Sequence, residues 1–250
     1  MTTGTDIRVT VREQYGALAE GKAGCCGSVG CGCAEPAKSA LSDIGYTAEQ
    51  AAAIPEGADL GLGCGNPLAH AAVKPGETVL DLGSGAGIDA FLAAREVGPD
   101  GRVIGVDMTP AMLDRARANA RDGGYANVEF RLGEIEHLPV ADGSVDLVIS
   151  NCVVNLSPQK DQVFREAYRV LKPGGRMLVS DLVLERPLPR EIKESVEAYV
   201  GCIAGASLKD DYLRLIREAG FDGVEIVKET AYGGAPVTSA QVRASKPATP

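Results

Sequence analysis

Val79-Leu80-Asp81-Leu82-Gly83-Ser84-Gly85-Ala86-Gly87 reads as a buried strand that runs into a glycine-rich turn and then a helix. Three glycines at alternate positions let the backbone approach a ligand where any Cβ would collide. The spacing departs from the dinucleotide fingerprint, which needs a glycine at the position held by Ile88. Asp81 stands just before the turn, where a carboxylate repels a pyrophosphate and attracts a cation. The stretch predicts a ligand that carries positive charge.

Outward from this turn, apolar runs alternate with helical patterns, the signature of a βα sheet. Strands are expected over residues 78–82, 102–107, 127–132, 145–150 and 176–180, with helices between them. Thr109-Pro110 opens one helix with threonine at the cap and proline in the first turn. Lys172-Pro173-Gly174-Gly175 is expected to be a turn. After Pro189 the stripe Ile192, Val196, Tyr199 and Ile203 predicts a helix. Another helix spans residues 209–219 and ends at Gly220. Residues 224–228 and 237–243 then form an antiparallel hairpin. Before residue 60 only residues 8–19 look helical, and residues 21–33 are too glycine-rich for regular structure. The expected organisation is one α/β domain over residues 61–250 with a helical, cysteine-rich N-terminal extension over residues 1–60.

A net charge of −9 among 250 residues, with no basic run, argues against nucleic acid or an anionic membrane as partner. No apolar stretch approaches the ~20 residues of a membrane span. Met1 to Asp6 lacks the charge and apolar run of a signal peptide. Seven cysteines without an export signal suggest reduced thiols. The expectation is a cytoplasmic monomer.

In open parallel sheets, ligands sit beyond the strand carboxyl ends at the switch in strand order. Asp107 ends the second strand, where a carboxylate commonly holds ribose hydroxyls. Gly133-Glu134-Ile135 follows the third strand and Ser150-Asn151-Cys152 closes the fourth. Asp81 to Gly87, Asp107 and Lys172-Pro173-Gly174-Gly175 together resemble class I methyltransferases that use S-adenosylmethionine, over residues 70–245. The resemblance implies a Rossmann-like, seven-stranded, mostly parallel sheet with a reversed C-terminal hairpin. It also implies a cofactor site. Gly83, Ser84, Gly85 and Gly87 would carry the methionine portion, and its cationic groups suit Asp81. Asp107, beside Met108, would bind the ribose, Gly133, Glu134 and Ile135 the adenine. Asn151 would close the site.

Three cysteines have settings that set them apart. Any one alone reads best as a small packed hydrophobe. Cys64, however, is flanked by glycines that would expose it, and Cys152 sits where the fourth strand opens onto the cofactor. Cys202 lies on the shoulder of its helix's apolar stripe. Convergence on one pocket would make a soft, thiophilic centre. Zinc usually adds a fourth ligand or a water, and His70 and His137 lack ligand spacing. Trivalent arsenic takes three sulfurs and keeps a lone pair. That lone pair can attack a sulfonium methyl with no general base, so positioning supplies most of the catalysis.

The surroundings of Cys64, Cys152 and Cys202, with Val11-Arg12-Glu13-Gln14-Tyr15-Gly16, resemble arsenite methyltransferases over nearly the whole chain. This implies that the three cysteines are catalytic and bind As(III), supplied as arsenite or its thiol conjugates. The methyl would come from S-adenosylmethionine, with glutathione or thioredoxin consumed as thiol reductant in arsenic detoxification. Two other readings compete. One is methylation of a small organic carbon or oxygen nucleophile; the other is a non-catalytic thiol protein that sequesters metal or arsenic. Cys25, Cys26, Cys31 and Cys33 lack paired Cys-x-x-Cys spacing. They read as a mobile thiol cluster, or as a device for arsenic delivery or disulfide relay with Cys64.

Overall fold

The computed structural model describes residues 7–22, 41–232 and 236–248. Cys25, Cys26, Cys31 and Cys33 lie outside the described residues. Helix α1 (Ile7–Ala19) comes first, then a 3-10 turn (Leu41–Ile44) and the short helices α2 (Ala48–Ala53) and α3 (Leu68–Ala71). Strand β1 (Thr78–Leu82) is apolar except for Asp81 and its last four residues are buried, as a central parallel strand requires. It leads through the glycine turn into α4 (Ile88–Val97), β2 (Arg102–Asp107), α5 (Pro110–Asp122) and β3 (Val128–Leu132). Next come β4 (Val145–Asn151), a 3-10 turn (Val154–Leu156), α6 (Lys160–Val170) and β5 (Leu171–Leu184). The chain then runs through α7 (Arg190–Lys193), α8 (Val196–Val200), β6 (Ser207–Leu208), α9 (Lys209–Glu218), β7 (Asp222–Ala231) and β8 (Val237–Ser245).

Seven strands lie in the order β3-β2-β1-β4-β5-β8-β7, parallel through β5. β8 runs antiparallel between β5 and β7, which is the reversed hairpin read from the sequence. The two-residue β6 is an addition, pairing with Val183 and Leu184 of β5. Alternate strand residues feed two cores. Val79, Val103, Leu147 and Leu178 pack with Phe91, Ala94 and Leu113 on one face. Leu80, Val106, Val148 and Val179 pack with Phe164, Tyr212 and Ile216 on the other. Each fully buried side chain of this size contributes about 1.5–3 kcal/mol. The sheet is thus a rigid platform whose strand order reverses between β1 and β4.

Two local expectations fail for identifiable reasons. Residues 172–175 are a bulge inside β5 rather than a separate turn; the pairing with β4 steps from Val145↔Leu171 to Leu147↔Arg176. The chain beyond β8 holds the bulge, since Gly174 N–H donates to Lys246 O at 3.1 Å and Lys246 N–H to Gly175 O at 2.8 Å. The helix expected after Pro189 is broken. Ser195 takes extended dihedrals and its hydroxyl accepts Ala198 N–H at 3.1 Å, starting α8 as a new helix. Val196, from the expected core stripe, is 51% exposed as a result. Among the described residues, no helix is long and apolar enough to cross a membrane.

Candidate active site

A cleft of about 640 Å³ opens at the carboxyl ends of β1, β2 and β4, the switch point of the sheet. Its floor is the turn after β1. Gly83 has φ +64, and a Cβ there would fall inside Val153, so this position is closed to other residues. Asp107 braces the turn, with Oδ2 accepting Gly85 N–H at 3.0 Å and Oδ1 accepting Thr109 N–H at 2.8 Å. Thr109 occupies the cap position of α5 as expected, but its side chain makes no capping hydrogen bond.

Asp81 is 2% exposed, and its Oδ2 has no hydrogen-bond partner among the described residues. Burial pushes its carboxyl well above the usual range, reinforced by the charges of Asp89 and Asp107. Asp89, in the first turn of α4, is also buried, and burial lifts it to about 6. Hydrogen bonds from Tyr46 (2.7 Å) and Asn151 (3.2 Å) oppose that rise. Two buried carboxylates beside an open cleft, with one oxygen unpartnered among the described residues, have the chemistry to receive a cation.

The three thiols pack together, Cys152 and Cys202 in the cleft lining and Cys64 against them. Cys64 is 5% exposed, so its flanking glycines do not lay it open. They let the loop lie flat on the sheet: Ser239 Oγ donates to Cys64 O at 2.6 Å and Gln241 Nε2 to Asn66 O at 3.1 Å. Cys152, just past β4, takes φ +58, and Cys202 takes φ +63 beyond the end of α8 rather than on its shoulder. Of the three described non-glycine residues with positive φ, two are candidate thiols. Such dihedrals cost of order 1–3 kcal/mol each and persist only where surrounding structure enforces them. The Cys202 thiol lies 2.9 Å from Cys152 O. Hydrogen bonding with Cys202 and Cys64 raises the Cys152 thiol well above its ordinary value, and burial adds to this. Burial raises Cys64 as well. All three are free thiols.

Asp181 is buried beside the sulfurs of Cys64 and Cys152, all within 4.8 Å of one another. Its Oδ1 accepts Asn155 Nδ2 (2.8 Å) and Leu182 N–H (2.9 Å), its Oδ2 Asn155 N–H and Tyr212 O–H (each 3.2 Å). Burial pushes it up to about 7.

Asp81, Gly83, Ser84, Gly85, Asp107, Met108, Gly133, Ile135, Asn151, Cys152 and Cys202 all line the cleft. Gly87, Glu134 and Cys64 are not among its lining residues. Gly87 is packed beneath Phe91, and Glu134 pairs with Arg8 (2.9 Å), itself a cleft-lining residue, and with Arg12 (3.4 Å) of α1. Val11 and Tyr15 of α1 also line the cleft, and the Tyr15 hydroxyl donates to Val200 O at 3.1 Å. Asp89, Tyr46 and Asp181 were not foreseen as site residues. The signal for Asp89 was an acidic residue in a first helical turn; Tyr46 and Asp181 gave none.

Gly65 has a Cβ position that falls inside Ser180 Oγ. Gly65→Ala is therefore expected to lift the Cys64 loop, costing about 1–3 kcal/mol of stability. A thiol reagent should modify Cys64 at least tenfold faster in this variant, by the usual conversion of 1.4 kcal/mol to a factor of ten. An unchanged rate would show that the loop is not seated as described.

The sequence profile of the methyltransferase domain matches residues 73–220. An arsenite methyltransferase of Halobacterium salinarum is 56% identical over 229 residues, covering 88% of this chain and 59% of its own length. One from Aquipseudomonas alcaligenes is 46% identical, covering 67% of this chain and 50% of its own length. The chain thus spans between half and three-fifths of the length of these curated relatives. Among solved structures, an arsenic(III) S-adenosylmethionine methyltransferase from Chlamydomonas reinhardtii superposes with a TM-score of 0.64 at 40% identity, covering 84% of this chain and 73% of that one.

Proposed function

The chain belongs to the methyltransferase-domain family, among the arsenite methyltransferases, and from that premise we propose that it methylates trivalent arsenic with S-adenosylmethionine. The single observation that carries the reading is the meeting of Cys64, Cys152 and Cys202, with Cys152 and Cys202 lining the same cleft as Asp81 and Cys64 packed against them. The cleft's residues fit the donor. Asp81 offers a buried, unpartnered oxygen to its ammonium. Asp107 lines the cleft at the end of β2, where its carboxylate is placed to accept ribose hydroxyls. At Gly85 there is open space where a Cβ would stand. When bound, the donor supplies a sulfonium methyl.

The thiols suit arsenous acid in particular. The raised thiols of Cys64 and Cys152 keep their protons at neutral pH. Each exchange of a hydroxyl for a sulfur then releases that proton in a water molecule, and no charge is buried. A divalent cation would have to bury thiolates beside Asp181, whose two oxygens already accept four hydrogen bonds and are poorly free to ligate. This weighs against a metal-sequestering role, and an organic acceptor would leave the three thiols unused. The nucleophile is the arsenic lone pair, so no residue has to remove a proton; the chain's task is to hold acceptor and donor in line and keep water out. Glutathione or thioredoxin completes the proposed cycle as reductant, in arsenic detoxification.

X-ray absorption on protein loaded with one equivalent of arsenite tests the site. Three As–S contacts are expected, and oxygen-dominated coordination would refute it.

The Asp89 value of about 6, against 3.8 unperturbed, gives a pH dependence. Between those values the folded carboxyl holds a proton that the unfolded chain has released, so this group's contribution to stability is lost as pH rises through the window. A bound ammonium favours the ionised form. S-adenosylhomocysteine is therefore expected to bind about tenfold more weakly at pH 5 than at pH 7.5, one proton being linked per unit. Calorimetry at both pH values checks this, and Asp89→Asn should flatten the dependence.

A further inference from the structure

Asn151 closes β4 and touches both halves of the cleft. Its Oδ1 accepts Cys64 N–H at 3.1 Å. Its Nδ2 lies 2.7 Å from Gly65 O, 3.0 Å from the Tyr46 hydroxyl and 3.2 Å from Asp89 Oδ2. A peptide N–H can only donate and a peptide carbonyl only accept, so these neighbours fix which way the amide faces. An amide nitrogen carries two hydrogens. Three acceptors therefore share two donors, and Asp89 is the most distant of the three. Tyr46 donates its own proton to Asp89 Oδ1 at 2.7 Å, which leaves its oxygen to accept from Asn151.

The Cys64 loop is seated by side chains of three kinds. Ser239 and Gln241 of β8 hold the carbonyls of Cys64 and Asn66. Asn151 holds the Cys64 N–H and the Gly65 carbonyl, and of these three side chains it alone also reaches Asp89. It is the hinge between cation receptor and thiol loop.

We propose that Asn151 couples the two sites: an ammonium received by Asp81 and Asp89 releases the amide to Gly65 and Tyr46, which fixes Cys64 for closure of the three-sulfur site. The inference rests on the assignment of the two cleft halves made above. Its direction follows from the count of acceptors, because a cation takes up the Asp89 lone pairs that otherwise draw on Asn151. Coupling of this kind is reciprocal, so arsenic on the sulfurs tightens the donor site by the same factor. Asn151 is accordingly a positioning residue for Cys64, acting through the loop backbone.

The test uses the wild-type protein and S-adenosylhomocysteine, which carries the ammonium and has no methyl to transfer. Arsenite affinity is measured by equilibrium dialysis with and without saturating S-adenosylhomocysteine, and the reverse affinity by calorimetry with and without arsenite. Each ligand is expected to tighten the other by a matching factor of about ten, within the usual range for coupled sites. Asn151→Ala should bring the factor close to one. So should Tyr46→Phe, which leaves two acceptors for two donors and serves if the first variant fails to fold. Two ligands that bind wild-type protein independently would overturn the coupling while leaving both sites standing. Coupling kept in both variants would overturn the role of Asn151. Arsenite that fails to bind at all would overturn the assignment of the thiol site, and this inference with it.

Discussion

Cys152→Ser is expected to abolish tight arsenite binding while donor binding stays within about twofold. Cys152 is the middle residue of the three: its sulfur lies within 4.8 Å of that of Cys64, and the Cys202 thiol lies 2.9 Å from its carbonyl oxygen. Serine has nearly the same shape but presents a hard oxygen in place of a soft sulfur. The site falls from three attachments to two, and the loss of one link in a multivalent attachment weakens binding by roughly 10²–10⁴-fold. Asp81, the glycine turn and Asp107 are untouched, so S-adenosylhomocysteine should still bind. Cys202→Ser is expected to behave alike. Dialysis with arsenic quantification, run beside calorimetry for the nucleoside, reads both quantities. Tight arsenite binding retained in both variants would remove the three-sulfur site.

Asp81→Asn is expected to act on the other half of the cleft with the opposite selectivity. The carboxylate is 2% exposed, carries an unpartnered oxygen and is raised by burial and by Asp89 and Asp107. In the ligand-free protein such a group is a liability. Its replacement by a neutral amide of the same shape should leave the melting temperature equal or higher. Donor affinity should fall about 10–100-fold, because a hydrogen bond to a charged group contributes about 1.5–3 kcal/mol. Arsenite should still bind through the sulfurs, less the coupling factor. A drop in stability without a drop in donor affinity would mean that Asp81 is structural.

Much of this arrangement was legible in the chain. The strand, turn and helix around Gly83 needed only local information, because three close glycines with an apolar run on one side have few structural uses. The C-terminal hairpin was equally local. Cys64 was misjudged because its glycines suggested exposure, whereas burial comes from Ser239, 175 residues away, and Asn151, 87 away. Pairings at that range leave no local trace. The ion pairs of Glu134 with Arg8 and Arg12 on the N-terminal helix were equally invisible, being more than a hundred residues apart in sequence. The break at Ser195 was missed because a stripe of apolar residues reports periodicity and is blind to a capping serine between its members. Asp89 and Tyr46 escaped because they meet each other and Asn151 only in the fold, a contact between three distant segments.

The central claim is that the thiol-bound arsenic receives the methyl group. Purified protein incubated with arsenite, glutathione or thioredoxin, and S-adenosylmethionine labelled in the methyl should yield labelled methylarsenic species by liquid chromatography with arsenic detection. The yield should vanish in Cys152→Ser. No methylated arsenic from protein that demonstrably binds both arsenite and the donor would contradict the account.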